Sequence, residues 1–211
     1  VKHVVWHPHN EWVVSCSYDN SIRFFVDNDD SWACSQNLQK HASTVWDLSF
    51  EAKGDHFASC SDDCSVVIWQ AKGSTASASP QSLAWEPVAE FPKLHERTIF
   101  SIDWSPPISH KEQQERAEDQ RVSSLLATGG ADDSIQILAA LEVPKVQQPT
   151  DVNDEQPPTA ATGVTAMKFR RLATVQKAHD GDVNCVKWNP ARVGVLASCG
   201  DDGRVKVWRM D

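Results

Sequence analysis

An all-β β-propeller of four blades, each a four-stranded antiparallel sheet, is the fold the sequence predicts, and three observations predict it. A hairpin pattern with aspartate at its turn recurs four times. A further strand precedes each hairpin, and another follows the first three. The first two turn aspartates, Asp19 and Asp63, stand 44 residues apart, the length of a propeller blade built from four strands.

The hairpins superimpose as segments 12–25, 56–69, 125–138 and 195–208. Each runs from small and apolar residues into a polar Asp turn and then into alternating β-branched residues, which is hairpin chemistry. The preceding strands are 1–6, 45–50, 99–104 and 183–188, and the following ones lie around 32–38, 85–91 and 168–175. The blades therefore fall at about 1–39, 44–92, 98–176 and 182–211, within one domain spanning 1–211. The later turn aspartates, Asp132 and Asp202, follow at intervals of 69 and 70 residues. Two insertions explain the stretch. One covers 105–124, and its charged middle at 111–121 has the composition for a solvated helical turn or two. The other covers 142–163 and is rich in Pro, Gln, Asp and Thr, the composition of a disordered loop. A shorter Gly/Ser/Ala stretch lies at 73–82.

Composition narrows the function classes. The chain has 211 residues and a net charge of −9, so a broad basic face for direct nucleic-acid binding is disfavoured. No run of 18 apolar residues is present, and the first residues lack the pattern of a secretory signal. No membrane partner is expected, and the six cysteines are expected as reduced thiols in a cytoplasmic or nuclear setting.

One polar set recurs with the hairpins: a His before the innermost strand, a Ser or Thr in the second, the turn Asp, and a Trp in the third. These motifs resemble the WD40-repeat family across the whole chain outside the insertions. In that family such residues form a buried hydrogen-bonded chain within each blade. Carried over, the complete sets are His41, Ser59, Asp63 and Trp69, and His179, Ser198, Asp202 and Trp208. The third blade has His95, Thr128 and Asp132, with Leu138 in the Trp place. The first has Ser15 and Asp19, with Phe25 there, and its His would precede Val1. Ser, His and Asp are also the parts of a hydrolase triad. Their recurrence in several blades favours scaffolding, since an active site needs one copy, so no enzyme is expected.

More specific stretches resemble the WD-repeat subunits of cytosolic iron–sulfur protein assembly. They are Val1–Pro8, Ser43–Trp46, Ala58–Asp63 with Val67–Trp69, His95–Ile99, Ala178–His179 with Asp182–Val186, Trp188–Pro190 and Leu196–Cys199. The resemblance implies a docking scaffold that helps pass clusters to cytosolic and nuclear apoproteins. Its implied partners are other subunits of the targeting complex and client apoproteins. It also implies a ring of seven blades. The chain starts in an innermost strand and stops after a third one, so the expectation is the C-terminal part of a longer ring, with pairing of two chains as the alternative. Another WD40 adaptor, such as a ubiquitin-ligase substrate receptor, is the second reading, although the Trp-Asp-x-Arg motif of such receptors is absent.

No cofactor or metal site is expected. Cys16, Cys60 and Cys199 share one strand position in different blades and read as small buried hydrophobes. Cys64, in a turn, is the candidate exposed thiol. His3, His7 and His9 lack a Cys or carboxylate at ligand spacing. The candidate partner surface lies where inner strands begin and the Asp turns emerge. There the repeat places Lys2, Trp46, Phe100 and Asn184 in one row, with Tyr18 and Asp62 just before turn aspartates. Tyr18, Trp46 and Phe100, flanked by Arg97 and Asp62, form the expected patch, since aromatics and Arg dominate interfaces.

Overall fold

The computed structural model describes residues 1–29, 31–73, 75, 83–109, 121–144 and 165–210. Fifteen strands lie among them, and the sheets are antiparallel throughout. The first sheet is β1 (His3–Trp6), β2 (Trp12–Cys16), β3 (Ser21–Asp27) and β4 (Trp32–Gln39). The second is β5 (Val45–Phe50), β6 (His56–Ser61), β7 (Val66–Ala71) and β8 (Trp85–Phe91). The third is β9 (Ile99–Trp104), β10 (Val122–Gly130), β11 (Ile135–Pro144) and β12 (Thr165–Val175). The fourth has three strands, β13 (Val183–Trp188), β14 (Val195–Gly200) and β15 (Val205–Arg209). Strand order follows chain order in every sheet, and β1, β5, β9 and β13 are the innermost strands, each lying beside the next. Among the described residues the four sheets do not close into a ring.

The hairpin turns share one backbone solution. The residue after each turn aspartate has a positive φ: Asn20 at 66°, Cys64 at 66°, Asp133 at 61° and Gly203 at 70°. Only Gly203 adopts this conformation without steric cost.

The core lies between blades, not within them. Sheets one and two bury Trp12, Val14, Phe24, Phe57, Trp69 and Trp85. Sheets two and three bury Ile68, Ile99, Ile102, Trp104, Leu126 and Leu138, and sheets three and four bury Leu125, Ile137, Val183, Val186, Trp188 and Leu196. Each sheet therefore shows an apolar face to each neighbour. This is why β6 is buried at every position instead of alternating.

The inner strands also join through side chains. Asp47 Oδ2 accepts the Ile102 amide at 3.0 Å and Ser49 Oγ accepts the Trp104 amide at 3.0 Å. One blade on, Ser101 Oγ accepts the Val186 amide at 3.3 Å and Asp103 Oδ2 the Trp188 amide at 2.7 Å. An innermost strand has an open edge, so its outward N–H groups need acceptors. The preceding blade supplies them from alternate positions of its own inner strand. The first and second blades join differently: the Leu48 amide donates to Asp47 itself at 2.8 Å, and His3 Nδ1 lies against the same carboxylate. His7 adds a tie there, with Nε2 3.1 Å from the Gly54 carbonyl. Gly54 has φ +81°, and a Cβ on it would sit 2.5 Å from the His7 ring, so only glycine fits.

Two expected boundaries need correction. The insertion expected over 105–124 is shorter, because β10 already pairs with β11 at Val122 and Ser124. The insertion expected over 142–163 begins later, because Glu142, Val143 and Pro144 pair with Met167, Ala166 and Thr165. Strand pairing overrides the polar composition at both edges. The middles of both insertions, at 110–120 and 145–164, and most of 73–82 lie outside the described residues.

Candidate functional site: the blade tetrads and the inner-strand rim

The polar sets converge within their blades. In the second, His41 Nδ1 lies 3.1 Å from Asp63 Oδ2, His41 Nε2 lies 2.8 Å from Ser59 Oγ, and Trp69 Nε1 donates to Ser59 Oγ at 3.0 Å. In the fourth, the corresponding distances among His179, Asp202, Ser198 and Trp208 are 2.9, 2.8 and 2.8 Å. One proton arrangement satisfies every atom: indole to serine, serine to imidazole, imidazole to carboxylate. In the third blade His95 lies 2.8 Å from Asp132 and 2.7 Å from Thr128. Leu138, fully buried where the second and fourth blades have Trp, packs into the core between sheets two and three instead. In the first blade Asp19 turns to its own hairpin, accepting from Ser21 and from Arg23 at 2.7 Å. Among the described residues Ser15 joins no such chain.

The aspartates are held ionised. Burial works against the charge on Asp63, but hydrogen bonds from His41, Ser65 and the Ala42 amide outweigh it and keep the carboxyl well below the usual range. Asp132 is lowered in the same way, burial being outweighed by His95, the Glu96 amide and Ser134. For Asp202 the His179 hydrogen bond is the largest cause of the lowering. Sequence reasoning missed the serines two residues after the turn aspartates. Ser65 and Ser134 each touch both the Asp and the His of their set. The recurring Asp-x-Ser at 19, 63 and 132 was the available signal.

These serines make poor nucleophiles. Ser59 and Thr128 are wholly buried and Ser198 is 3% exposed. The oxygens of Ser59 and Ser198 already accept an indole N–H. A hydroxyl that no substrate can reach serves structure, whatever its resemblance to a triad.

The rim forms where the register slips. The pairings of β5, β9 and β13 each skip the strand's second residue, so Trp46, Phe100 and Asn184 have no cross-strand partner. Such bulges re-aim side chains. Trp46 and Phe100 meet edge to face with centroids 5.1 Å apart, and Tyr18 lies 6.2 Å from Trp46. Lys2 Nζ lies 3.8 Å from the Tyr18 ring centroid and 3.6 Å from that of Trp46. Tyr18 is 65% exposed. The indole N–H of Trp46 finds no acceptor among the described residues. Asp62 accepts from Ser43 at 3.0 Å and from Thr98. Exposed Arg97 donates to the Ala131 carbonyl at 2.6 Å and faces Asp182 at 3.7 Å. Asn184 instead donates to Asp201 at 2.6 Å. Lys2 was in the sequence row but not in the expected patch. Its placement over two rings depends on bringing two blades together.

The cysteines are all free, and Cys16 and Cys60 are buried. Burial pushes Cys16 up to about 12 and Cys60 well above its ordinary value. Cys199 is a correction, because it is partly exposed: no sheet covers its face among the described residues. Cys64 is partly exposed and Cys34 is exposed. His7 and His9 are engaged elsewhere: His7 Nδ1 faces the His9 and Asn10 amides, and His9 Nε2 lies 2.7 Å from the Ala52 carbonyl.

The WD40 family (WD domain, G-beta repeat) matches residues 1–25, 32–70 and 170–209. The matches leave most of the third blade uncovered, the blade with Leu138 in the Trp place and both long insertions. Among curated proteins, the chain is 34% identical over 200 residues to a probable cytosolic iron-sulfur protein assembly protein CIAO1 homolog of Chlamydomonas reinhardtii, covering 85% of this chain and 47% of that protein. It is 33% identical over 187 residues to the probable cytosolic iron-sulfur protein assembly protein Ciao1 of Aedes aegypti, covering 87% and 45%. A CIAO1 homolog of Ixodes scapularis is 42% identical over 105 residues, covering 49% and 31%. The chain thus spans about half or less of the length of the relatives it matches. With matched repeats on three blades and antiparallel sheets in propeller order, the chain contains WD40 repeats.

Proposed function

We propose that this chain is part of a non-catalytic docking scaffold of cytosolic iron–sulfur protein assembly. Its partners in this reading are other subunits of the targeting complex and client apoproteins that receive clusters. The observation that carries it is the similarity to relatives named for that process over 85% and 87% of the chain. Geometry supports binding over catalysis, since the Ser/His/Asp sets are consumed inside the blades while Tyr18 is exposed and Trp46 and Phe100 are half-buried at the rim. Tyr18, Trp46 and Phe100, with Lys2 beside the rings and Arg97 and Asp62 flanking them, form the partner surface in this reading. Aromatic and Arg side chains contribute most where interfaces lose water. The relatives' names support a cytosolic setting and give no support to a nuclear one.

Affinity purification from cell extract followed by mass spectrometry tests the assignment. Recovery of iron–sulfur assembly subunits and iron–sulfur apoproteins is the expected result. Recovery of cullin-adaptor subunits in their place would overturn it in favour of a ubiquitin-ligase receptor.

A further inference from the structure

The bulge that turns Asn184 to the rim has a second effect. It sets Cys185 directly opposite Cys199 across β13 and β14. Continued without the slip, the Val183–Gly200 pairing would place Cys185 against Ser198. Residues directly opposite on antiparallel strands share a face, with Cα atoms about 4.5–5.5 Å apart. A disulfide spans Cα distances of roughly 4.4–6.8 Å. The equivalent pairs in the other blades are His3 with Cys16, Asp47 with Cys60 and Ser101 with Gly129. Only the fourth blade pairs two thiols at this position. Among the described residues both of these cysteines are partly exposed, unlike Cys16 and Cys60. Burial pushes the Cys185 thiol up, while the Lys187 ammonium and the Ser101 hydroxyl work against that rise.

We propose that Cys185 and Cys199 are a thiol–disulfide exchange site that closes a reversible cross-strand disulfide when it meets a small-molecule disulfide such as oxidised glutathione. One cysteine loses its proton to solvent, and the thiolate attacks a sulfur of the oxidant. A mixed disulfide forms, and one glutathione leaves as thiolate and takes up a proton. The second cysteine, deprotonated in turn, attacks the protein sulfur of the mixed disulfide and expels the second glutathione. Two protein thiols are oxidised to one disulfide, and one glutathione disulfide is reduced to two thiols. Lys187, on the same strand and paired with Asp103 at 2.8 Å, opposes without reversing the rise that burial imposes on Cys185.

Peptide mapping of the chain after incubation with oxidised glutathione tests this directly. The expected product is a linked Cys185–Cys199 peptide, with the intact chain lighter by two hydrogens per bridge and restored by a dithiol reductant. Closure should speed up roughly tenfold per pH unit below the thiol pKa, because the thiolate is the attacking species. In the C199S variant, Cys185 should instead retain glutathione. Exposed Cys34 serves as the internal control for reagent access. The proposal is overturned if Cys34 takes up glutathione while Cys185 and Cys199 stay free, or if Cys185 keeps its glutathione with Cys199 present.

Discussion

In the second blade the tetrad sits under cover on both sides, and β6 and β7 are buried at nearly every position. In the fourth, the same four residue types meet at distances within 0.2 Å of those in the second. There β15 alternates, with Val205 74% and Val207 65% exposed. The polar chain is therefore a local device that its own hairpin and His loop assemble. Burial is a property of neighbours: it follows from what packs against each sheet face. The rim adds a third contrast, since one bulged position carries touching aromatics in blades two and three and a hydrogen-bonded Asn in blade four.

The largest expected effect tests the neighbour-dependent half. Phe57 is fully buried against Phe24, Phe50, Trp69 and Trp85. Phe57→Ala should cost about 3–5 kcal/mol in denaturant unfolding. A loss below about 1 kcal/mol would mean that the sheets are not packed as described.

The local half is tested by Asp63→Ala, which leaves His41, Ser65 and the Ala42 amide without their acceptor. The expected loss is about 1–3 kcal/mol. Asp202→Ala should also lower the melting temperature. Movement in one blade and none in the other would show that the tetrad depends on its surroundings. The pH dependence has a definite sign. The folded aspartates titrate below their unfolded value of about 3.9, so the unfolded chain binds more protons as pH falls. Their stabilisation is present at neutral pH and is lost as pH drops below about 4 and through the folded values. Melting temperature should fall steeply there, and less steeply in Asp63→Ala. Equal slopes would contradict the ionised tetrad.

The smallest effect separates the two turns. Cys64 adopts φ 66°, and its counterpart in the fourth blade is Gly203 at 70°. Cys64→Gly should relieve strain and raise stability by up to about 1 kcal/mol. A clear loss would mean that Cys64 makes a contact worth more than the strain.

Much of this organisation was legible in the chain. The tetrads were readable because a local hairpin and a His at fixed spacing repeat within one blade. The missing Trp at Leu138 was readable for the same reason. The inter-blade acceptors Asp47, Ser49, Ser101 and Asp103 were not, because their partners lie 55 or 85 residues away across insertions of different length. Polar residues at alternate positions of the innermost strands were the available clue. The bulges left no mark in residue type, so the Cys185–Cys199 register and the cause of the rim geometry came only with the backbone. Cys199 was misread because its strand position matches Cys60, whereas its exposure reflects which sheet covers it.

The central claim is that the rim of blades one to three holds the partner while the tetrads hold the blades. Quantitative affinity purification of the unmutated chain, Trp46→Ala/Phe100→Ala and Asn184→Ala tests it most directly, with melting temperature confirming that each is folded. The account predicts that the aromatic double variant loses about tenfold or more of the iron–sulfur assembly subunits recovered, and that Asn184→Ala stays within about twofold. Full recovery with the folded double variant, or equal loss with Asn184→Ala, would contradict it.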